Sequence, residues 1–392
     1  MKSARRDALG TRLVHGGRGV SADGGRPVNP PVVRASTAVF ETLAAQRQAR
    51  SRRDSERLFT YGARGTPTGF ALESMIAELE GGYRTRLFPT GLAAIGMVFV
   101  SYLEPGDHVL IVDAVYDPVR RLAARQLSRQ GIRSTFFRAD EPDFESHIAP
   151  DTRMIYVETP GSVTFEMSDL PAIARVSRER GLLLVADNTW GSGVQYRPLS
   201  LGADVSIMAA TKYLSGHSDV VMGAVTTTGQ AWPALTAAAD DFGMTTSPDD
   251  AYLVLRGIRT LGARLSIHQS HALKVAEWLR GHPNVEAVYC PALPDHPGHA
   301  IWQRDCSGTN GLLSFTLRGD EAAAAERFVD ALQLFAIGAS WGGFESVVSV
   351  MDMSRLRTES DWSGRSSVIR LHVGLEDPDD LIADLQRGFS SL

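Results

Sequence analysis

The chain has 392 residues, of which 43% are apolar, and a formal net charge of −5. That length and composition bury a large core, and more than one. The charge excludes a nucleic-acid footprint over the whole surface, two cysteines (Cys290 and Cys306) exclude a disulfide framework, and the basic run Arg47, Arg50, Arg52, Arg53 reads as solvated surface or a subunit edge.

In chain order, Lys2, Arg5 and Arg6 have no apolar run behind them, so no secretory signal is expected. The first sixty or so residues show little periodicity, and Asn29-Pro30-Pro31 marks a loop. Such an arm packs on something else, such as another subunit. Phe70, Leu72, Met75, Ile76 and Leu79 predict a helix over Phe70 to Leu79. Val98 to Leu103 is too short to span a bilayer, and a soluble, cytoplasmic protein is expected.

The middle third alternates. Val109 to Val112, Thr135 to Phe137, Met154 to Val157, Leu182 to Val185, Val205 to Met208 and Val220 to Met222 read as short apolar strands. Val119 to Arg129 and Leu170 to Arg178 read as helices between them. This α/β pattern predicts a mostly parallel sheet covered on both faces. Ligands of such sheets gather beyond the carboxyl ends of the strands. After Asp249 the character changes: a long helix from Tyr252 to Leu279, a strand at Leu312 to Phe315, and helices at Ala322 to Leu334 and Leu381 to Phe389. A smaller α+β domain starting near residue 250 is expected.

Two residues stand just past predicted strand ends. Lys212 follows Val205 to Met208, and Asp187 follows Leu182 to Val185. A lysine amine condenses with an aldehyde, and desolvation keeps it neutral. A carboxylate beside a pyridine nitrogen favours the protonated ring, which stores carbanion electrons. The pair points to pyridoxal phosphate. Taken singly, each has a bland alternative: a surface lysine, and a turn-forming Asp-Asn-Thr.

The remaining candidates are weaker. Pro89-Thr90-Gly91-Leu92 leads into an apolar helix, whose first N–H groups at Gly91 and Leu92 suit a phosphate. Thr211 offers a hydroxyl beside the lysine. Tyr116 follows a strand, where its ring is free to stack on a cofactor or simply sit in a loop. Arg370 interrupts the apolar run Ile369 to Val373, so it grips a substrate carboxylate or an internal acid such as Glu376. Ser340-Trp341-Gly342-Gly343 forms a pocket wall or a tight turn. His296 and His299 share a Pro-Gly loop with no carboxylate cluster, so no metal is expected.

Taken together these stretches resemble the cysteine/methionine-metabolism family of pyridoxal-phosphate enzymes. The likeness runs from Thr11-Arg12-Leu13-Val14-His15-Gly16-Gly17 nearly to the end. It includes Tyr61 to Thr68, Glu158-Thr159-Pro160-Gly161-Ser162, Asp187-Asn188-Thr189-Trp190, the Lys212 segment and Arg370 to Asp377. The resemblance implies the aspartate-aminotransferase-like fold, fold type I. Its large domain has a mostly parallel seven-stranded sheet, and a smaller C-terminal α+β domain follows. Its implied division is an arm over residues 1–60, a cofactor domain over 61–250 and a C-terminal domain over 251–392.

The resemblance also implies roles. Lys212 bonds the cofactor aldehyde, Asp187 partners the ring nitrogen and Tyr116 stacks. Gly91, Leu92 and Thr211 line the phosphate pocket. Arg370, helped by Ser340, grips the substrate α-carboxylate. Tyr61 reaches the active site of a neighbouring subunit in a homotetramer built from two tight dimers. Trp341 matches the branch that eliminates at Cβ, so L-cystathionine is expected to yield homocysteine, pyruvate and ammonia, with broader cysteine-S-conjugate cleavage close behind. A γ-lyase or γ-replacement enzyme is the alternative. One position departs from the pattern. In Tyr61-Gly62-Ala63-Arg64-Gly65-Thr66 the residue Ala63 stands where a phosphate-binding arginine from the neighbour is expected. Arg64 matches the second arginine of that pattern. Arg64 taking over the phosphate, a site reshaped for another substrate, and a divergent or engineered variant all fit.

Overall fold

The computed structural model describes residues 8–17, 27–319, 322–364 and 366–392. Seven strands form the larger sheet: β1 Arg84–Phe88, β2 His108–Val112, β3 Arg133–Phe137, β4 Thr152–Glu158, β5 Leu183–Asp187, β6 Val205–Ala209 and β7 Gly223–Thr227. Their order is β1-β7-β6-β5-β4-β2-β3. The run from β3 through β6 is parallel, while β7 lies antiparallel to both β6 and β1. Every residue of β2 is buried, as both faces of a parallel sheet require. The mostly parallel α/β sheet expected from the strand spacing is therefore present.

Local sequence chemistry sets the helix ends. Helix Pro67–Glu80 starts on Thr66, whose side chain accepts from the Gly69 N–H, has proline in its first turn, and stops at Gly81 with φ 71°. Helix Gly91–Tyr102 starts on Thr90, whose side chain accepts from the Ala93 N–H. Helix Leu170–Arg180 starts on Asp169 and stops at Gly181.

The second sheet has five strands: β8 Val285–Tyr289, β9 Leu312–Leu317, β10 Ala336–Ile337, β11 Val347–Asp352 and β12 Ser367–His372, ordered β10-β11-β12-β9-β8. Its core includes Val275, Leu279, Phe315, Phe328, Leu371 and Phe389. Helix Leu261–Arg280 joins it to the larger unit. Leu261 and Leu265 pack with Leu72, Tyr213 and Leu255, whereas Ala272 to Leu279 pack under the small sheet. We propose two folding units joined through this helix, so that a division at residue 250 separates sequence segments more cleanly than packing. Among the described residues, no helix is long and apolar enough to cross a membrane.

Three local expectations are corrected. Val220 to Met222 is not a strand, because the Met222 N–H donates to Thr211 Oγ1 at 2.9 Å and its carbonyl takes the Thr211 N–H at 3.2 Å. The strand begins one residue later, at Gly223. The long helix from Tyr252 is two helices, Pro248–Ile258 and Leu261–Arg280. The Gly257 carbonyl freed at the break accepts from the Thr260 N–H at 3.1 Å and Arg264 Nη2 at 2.8 Å. The helix from Val119 starts earlier, at Asp117, and widens to π geometry over Ala123–Leu127. Helix Leu43–Glu56, in the arm, has no buried residue and so shows no apolar period.

Candidate active site

The site is built where the carboxyl ends of β4, β5 and β6 meet a loop from the small sheet. β5 ends on Asp187, directly beside Glu158 at the end of β4. Asp187 is 7% exposed. Its Oδ1 accepts from the Thr189 N–H at 2.9 Å and from the Thr189 hydroxyl at 2.6 Å. Among the described residues its Oδ2 has only the Tyr156 hydroxyl, at 3.5 Å. Burial raises this carboxyl above its ordinary range, while the Thr189 bonds oppose the rise. A cationic partner at Oδ2 would return it to the ionised form.

Lys212 lies three residues past β6. Its Nζ donates to Ser340 Oγ at 2.7 Å and stands 5.2 Å from the centre of the Trp341 ring. Burial, and after it the charge of Arg370, pulls the amine down to about 8. The neutral amine is the form that attacks an aldehyde or accepts a proton. In cofactor-free protein, modification of Lys212 by pyridoxal, trapped by borohydride, is therefore expected to rise through about pH 8. A midpoint near the ordinary lysine value of about 10.4 would contradict the site's electrostatics.

Close approach of the Ser340-Trp341 loop depends on Gly342. Its φ is +93°, and a Cβ there would come 2.9 Å from the Lys212 Cα and carbonyl carbon. Gly342→Ala is expected to cost about 1–3 kcal/mol and to break the Lys212–Ser340 contact. Thermal unfolding with the same pyridoxal labelling checks both; unchanged stability and labelling would show that the loop tolerates the side chain.

Arg370 lies on β12 opposite Ser349 of β11. Its Nη2 donates to the Ala339 carbonyl at 3.2 Å and to Ser349 Oγ at 3.1 Å. Among the described residues no carboxylate bonds it, and the internal pair with Glu376 is not formed; Glu376 instead accepts from the Ser346 N–H and hydroxyl, both at 2.8 Å. Burial lowers the guanidinium to about 10, with Tyr116 opposing. Tyr116 is 48% exposed. Its backbone N–H donates to Glu158 Oε2 at 2.6 Å.

Gly91 and Leu92 open helix Gly91–Tyr102. The first N–H groups of a helix have no intrahelical acceptor. A Cβ at Gly91 would lie 2.9 Å from the Ala209 Cβ, so glycine is what lets this turn rest on the end of β6. The Thr211 hydroxyl is already used, since it accepts from the Met222 N–H and donates to the Met222 carbonyl.

Tyr61 and Arg64 make their contacts elsewhere. Tyr61 is 53% exposed and forms a backbone bridge with Thr37. Arg64 pairs with Asp240, which also takes Arg86 at 3.0 Å. Arg64 is thus committed within its own chain, and Ala63 beside it brings no charge.

Glu158, Thr189, Tyr156 and Ser349 were not among the residues singled out for a role. Glu158 had a readable signal, since it ends an apolar strand just as Asp187 does. Burial, and then the Asp187 charge, raises its carboxyl well above the usual range.

The donor set fits pyridoxal phosphate. It offers an amine of lowered basicity, a carboxylate with a nearly free oxygen, and a helix start without a side chain. Fold and site together define a fold-type-I enzyme dependent on that cofactor. The family model described as Cys/Met metabolism PLP-dependent enzyme matches residues 10–390, and the chain belongs to that family. Cystathionine β-lyase of Bordetella avium is 50% identical over 365 residues, 92% of either chain. Cystathionine β-lyase of Escherichia coli K12 is 41% identical over 98% of each chain. The crystal structure of cystathionine γ-lyase from Lactobacillus plantarum complexed with L-serine superposes with a TM-score of 0.89 at 32% identity, covering 98% of this chain and 99% of that one.

Proposed function

We propose that this chain is a carbon–sulfur β-lyase that cleaves L-cystathionine to homocysteine, pyruvate and ammonia. The observation that carries this reading is the gathering of Ser340, Trp341 and the charge of Arg370 around the Lys212 amine. The identity to named β-lyases supports it.

In this reading Lys212 would hold the cofactor aldehyde, Asp187 would partner its ring nitrogen, and the N–H groups of Gly91 and Leu92 would serve its phosphate. The bound cofactor supplies the sink for the electron pair left when the Cα–H bond breaks. Arg370, which no carboxylate of the described residues bonds, binds the substrate carboxylate, and Ser340 adds a hydroxyl beside it. The freed Lys212 amine takes the Cα proton and then gives a proton to the departing thiolate. Tyr116 covers the site and narrows access for water. Trp341 walls the side on which the leaving sulfur lies. Water completes the balance, converting the released three-carbon fragment to pyruvate and ammonia.

We further propose a homotetramer in the cytoplasm, in which Tyr61 completes a neighbour's site. The exposure of Tyr61 and the unburied helix Leu43–Glu56 support an intersubunit role for this arm. Products from L-cystathionine test the reaction: homocysteine with pyruvate is expected, whereas cysteine with 2-oxobutyrate would move the chemistry to Cγ.

A further inference from the structure

Three segments interlock beside Tyr116. Residues 113–117 leave β2. Asp113 is 1% exposed, and Arg120 Nη2 donates to both its carboxylate and, at 2.6 Å, its carbonyl. Residues 161–166 follow β4. The Ser162 N–H donates to the Ala114 carbonyl at 2.7 Å, and a Cβ on Gly161 would come 2.6 Å from the Ala114 Cβ. Residues 357–359 belong to the loop between β11 and β12. The Thr358 N–H donates to Asp113 Oδ1 at 3.0 Å, its hydroxyl to the same oxygen at 3.0 Å, and the Glu359 N–H to Oδ2 at 3.2 Å. Arg357 is 4% exposed and donates to both Glu166 oxygens at 2.9 and 3.0 Å, to the Ser162 carbonyl at 2.6 Å and to Thr164 Oγ1 at 3.1 Å.

The placement matters because β11 and β12 form the hairpin that carries Arg370 opposite Ser349. Its near end is held where Ser346 Oγ accepts from the Gly374 N–H at 2.8 Å. Its far end is held through this knot, through the short helix Met353–Leu356, whose Met353 is fully buried, and through Trp362, whose ring packs 5.8 Å from that of Tyr289. The same Asp113 begins the loop that presents Tyr116. Charge-assisted bonds to buried carboxylates are strong and directional. One joint therefore sets both the tilt of the Arg370 hairpin and the reach of the Tyr116 loop.

We propose that Asp113 and Arg357 act as a clasp between the two sheets, as positioning residues that fix the distance between Arg370 and Tyr116 across the bound amino acid. The inference rests on the reading of Arg370 and Tyr116 given above. Small misplacements of binding groups carry large penalties even when their cause lies away from the chemistry.

The test uses holoenzyme carrying Asp113→Ala, Asp113→Asn, Arg357→Lys or Thr358→Val. L-alanine, which has no leaving group at Cβ, is titrated by the change in cofactor absorbance, and L-cystathionine turnover is measured in parallel. Asp113→Ala is expected to raise the Kd for L-alanine and the KM for L-cystathionine together by about tenfold, with kcat within about threefold of wild type. Asp113→Asn, which keeps a carbonyl acceptor for Thr358, recovers part of the loss, and Thr358→Val moves both constants the same way by less. A folded Asp113→Ala protein with unchanged Kd and KM, or one losing kcat alone, overturns the clasp. If Asp113→Ala does not fold, unchanged Kd in both Thr358→Val and Arg357→Lys overturns it instead. Loss of L-alanine affinity in the variants of a wild-type protein that does not cleave L-cystathionine would sink the reaction and leave the clasp standing.

Discussion

Lys212→Ala is expected to abolish C–S cleavage, with kcat falling by at least about 10⁴-fold. Two losses combine. In the proposed mechanism the side chain that would bond the aldehyde is removed, and so is the amine that would move the proton between Cα and sulfur. Alanine leaves Tyr213 and Leu214 in their buried packing, so the fold should survive. Its described neighbours are poor replacements, because Ser340 is its hydrogen-bond partner and Arg370 is a poor base even when lowered to about 10. The cofactor's visible absorbance bound to lysine should disappear with the activity. Thiol release by the variant at more than about one hundredth of the wild-type rate would require a different base.

Asp187→Asn gives the second large effect. Asparagine keeps the size of the side chain and a carbonyl oxygen for the Thr189 hydroxyl, so packing is preserved. It removes the negative charge that, in the proposed mechanism, would hold a proton on the ring nitrogen. Removing one preorganised electrostatic partner from a buried site costs about 10²- to 10³-fold in kcat, and that loss is expected here. KM should change little, because Arg370 and Ser340 remain. Steady-state kinetics separates the two constants. A variant within threefold of wild-type kcat would remove Asp187 from the mechanism.

The residues behind both results were legible because charge interrupts hydrophobic pattern there. Lys212 and Asp187 stood past apolar strand ends, and Arg370 broke an apolar run; in the structure the charge of Arg370 acts on Lys212, and Arg370 and Asp187 both act on Tyr116. Pattern failed where the stabilising partner is distant in sequence. β1 reads Arg84-Thr85-Arg86-Leu87-Phe88, too charged to show an apolar run. In the fold Arg84 takes the Asp54 and Ser55 carbonyls at 2.5 Å, while Arg86 pairs with Asp240. Glu158 gained its meaning only when β4 and β5 came into register. Asp113 and Arg357 are 244 positions apart by number, so no local period connects them. The arm was opaque for another reason: its helix buries nothing within this chain, and a buried face is what periodicity reports.

The two experiments above test residues; the central claim is the bond that breaks. Purified holoenzyme is incubated with L-cystathionine, and homocysteine, pyruvate, cysteine and 2-oxobutyrate are quantified together, with Lys212→Ala as the control. Cleavage at Cβ predicts homocysteine and pyruvate in equal amounts from the wild-type protein and neither from the variant. Cysteine and 2-oxobutyrate as the main products, or cleavage that persists in Lys212→Ala, would contradict it.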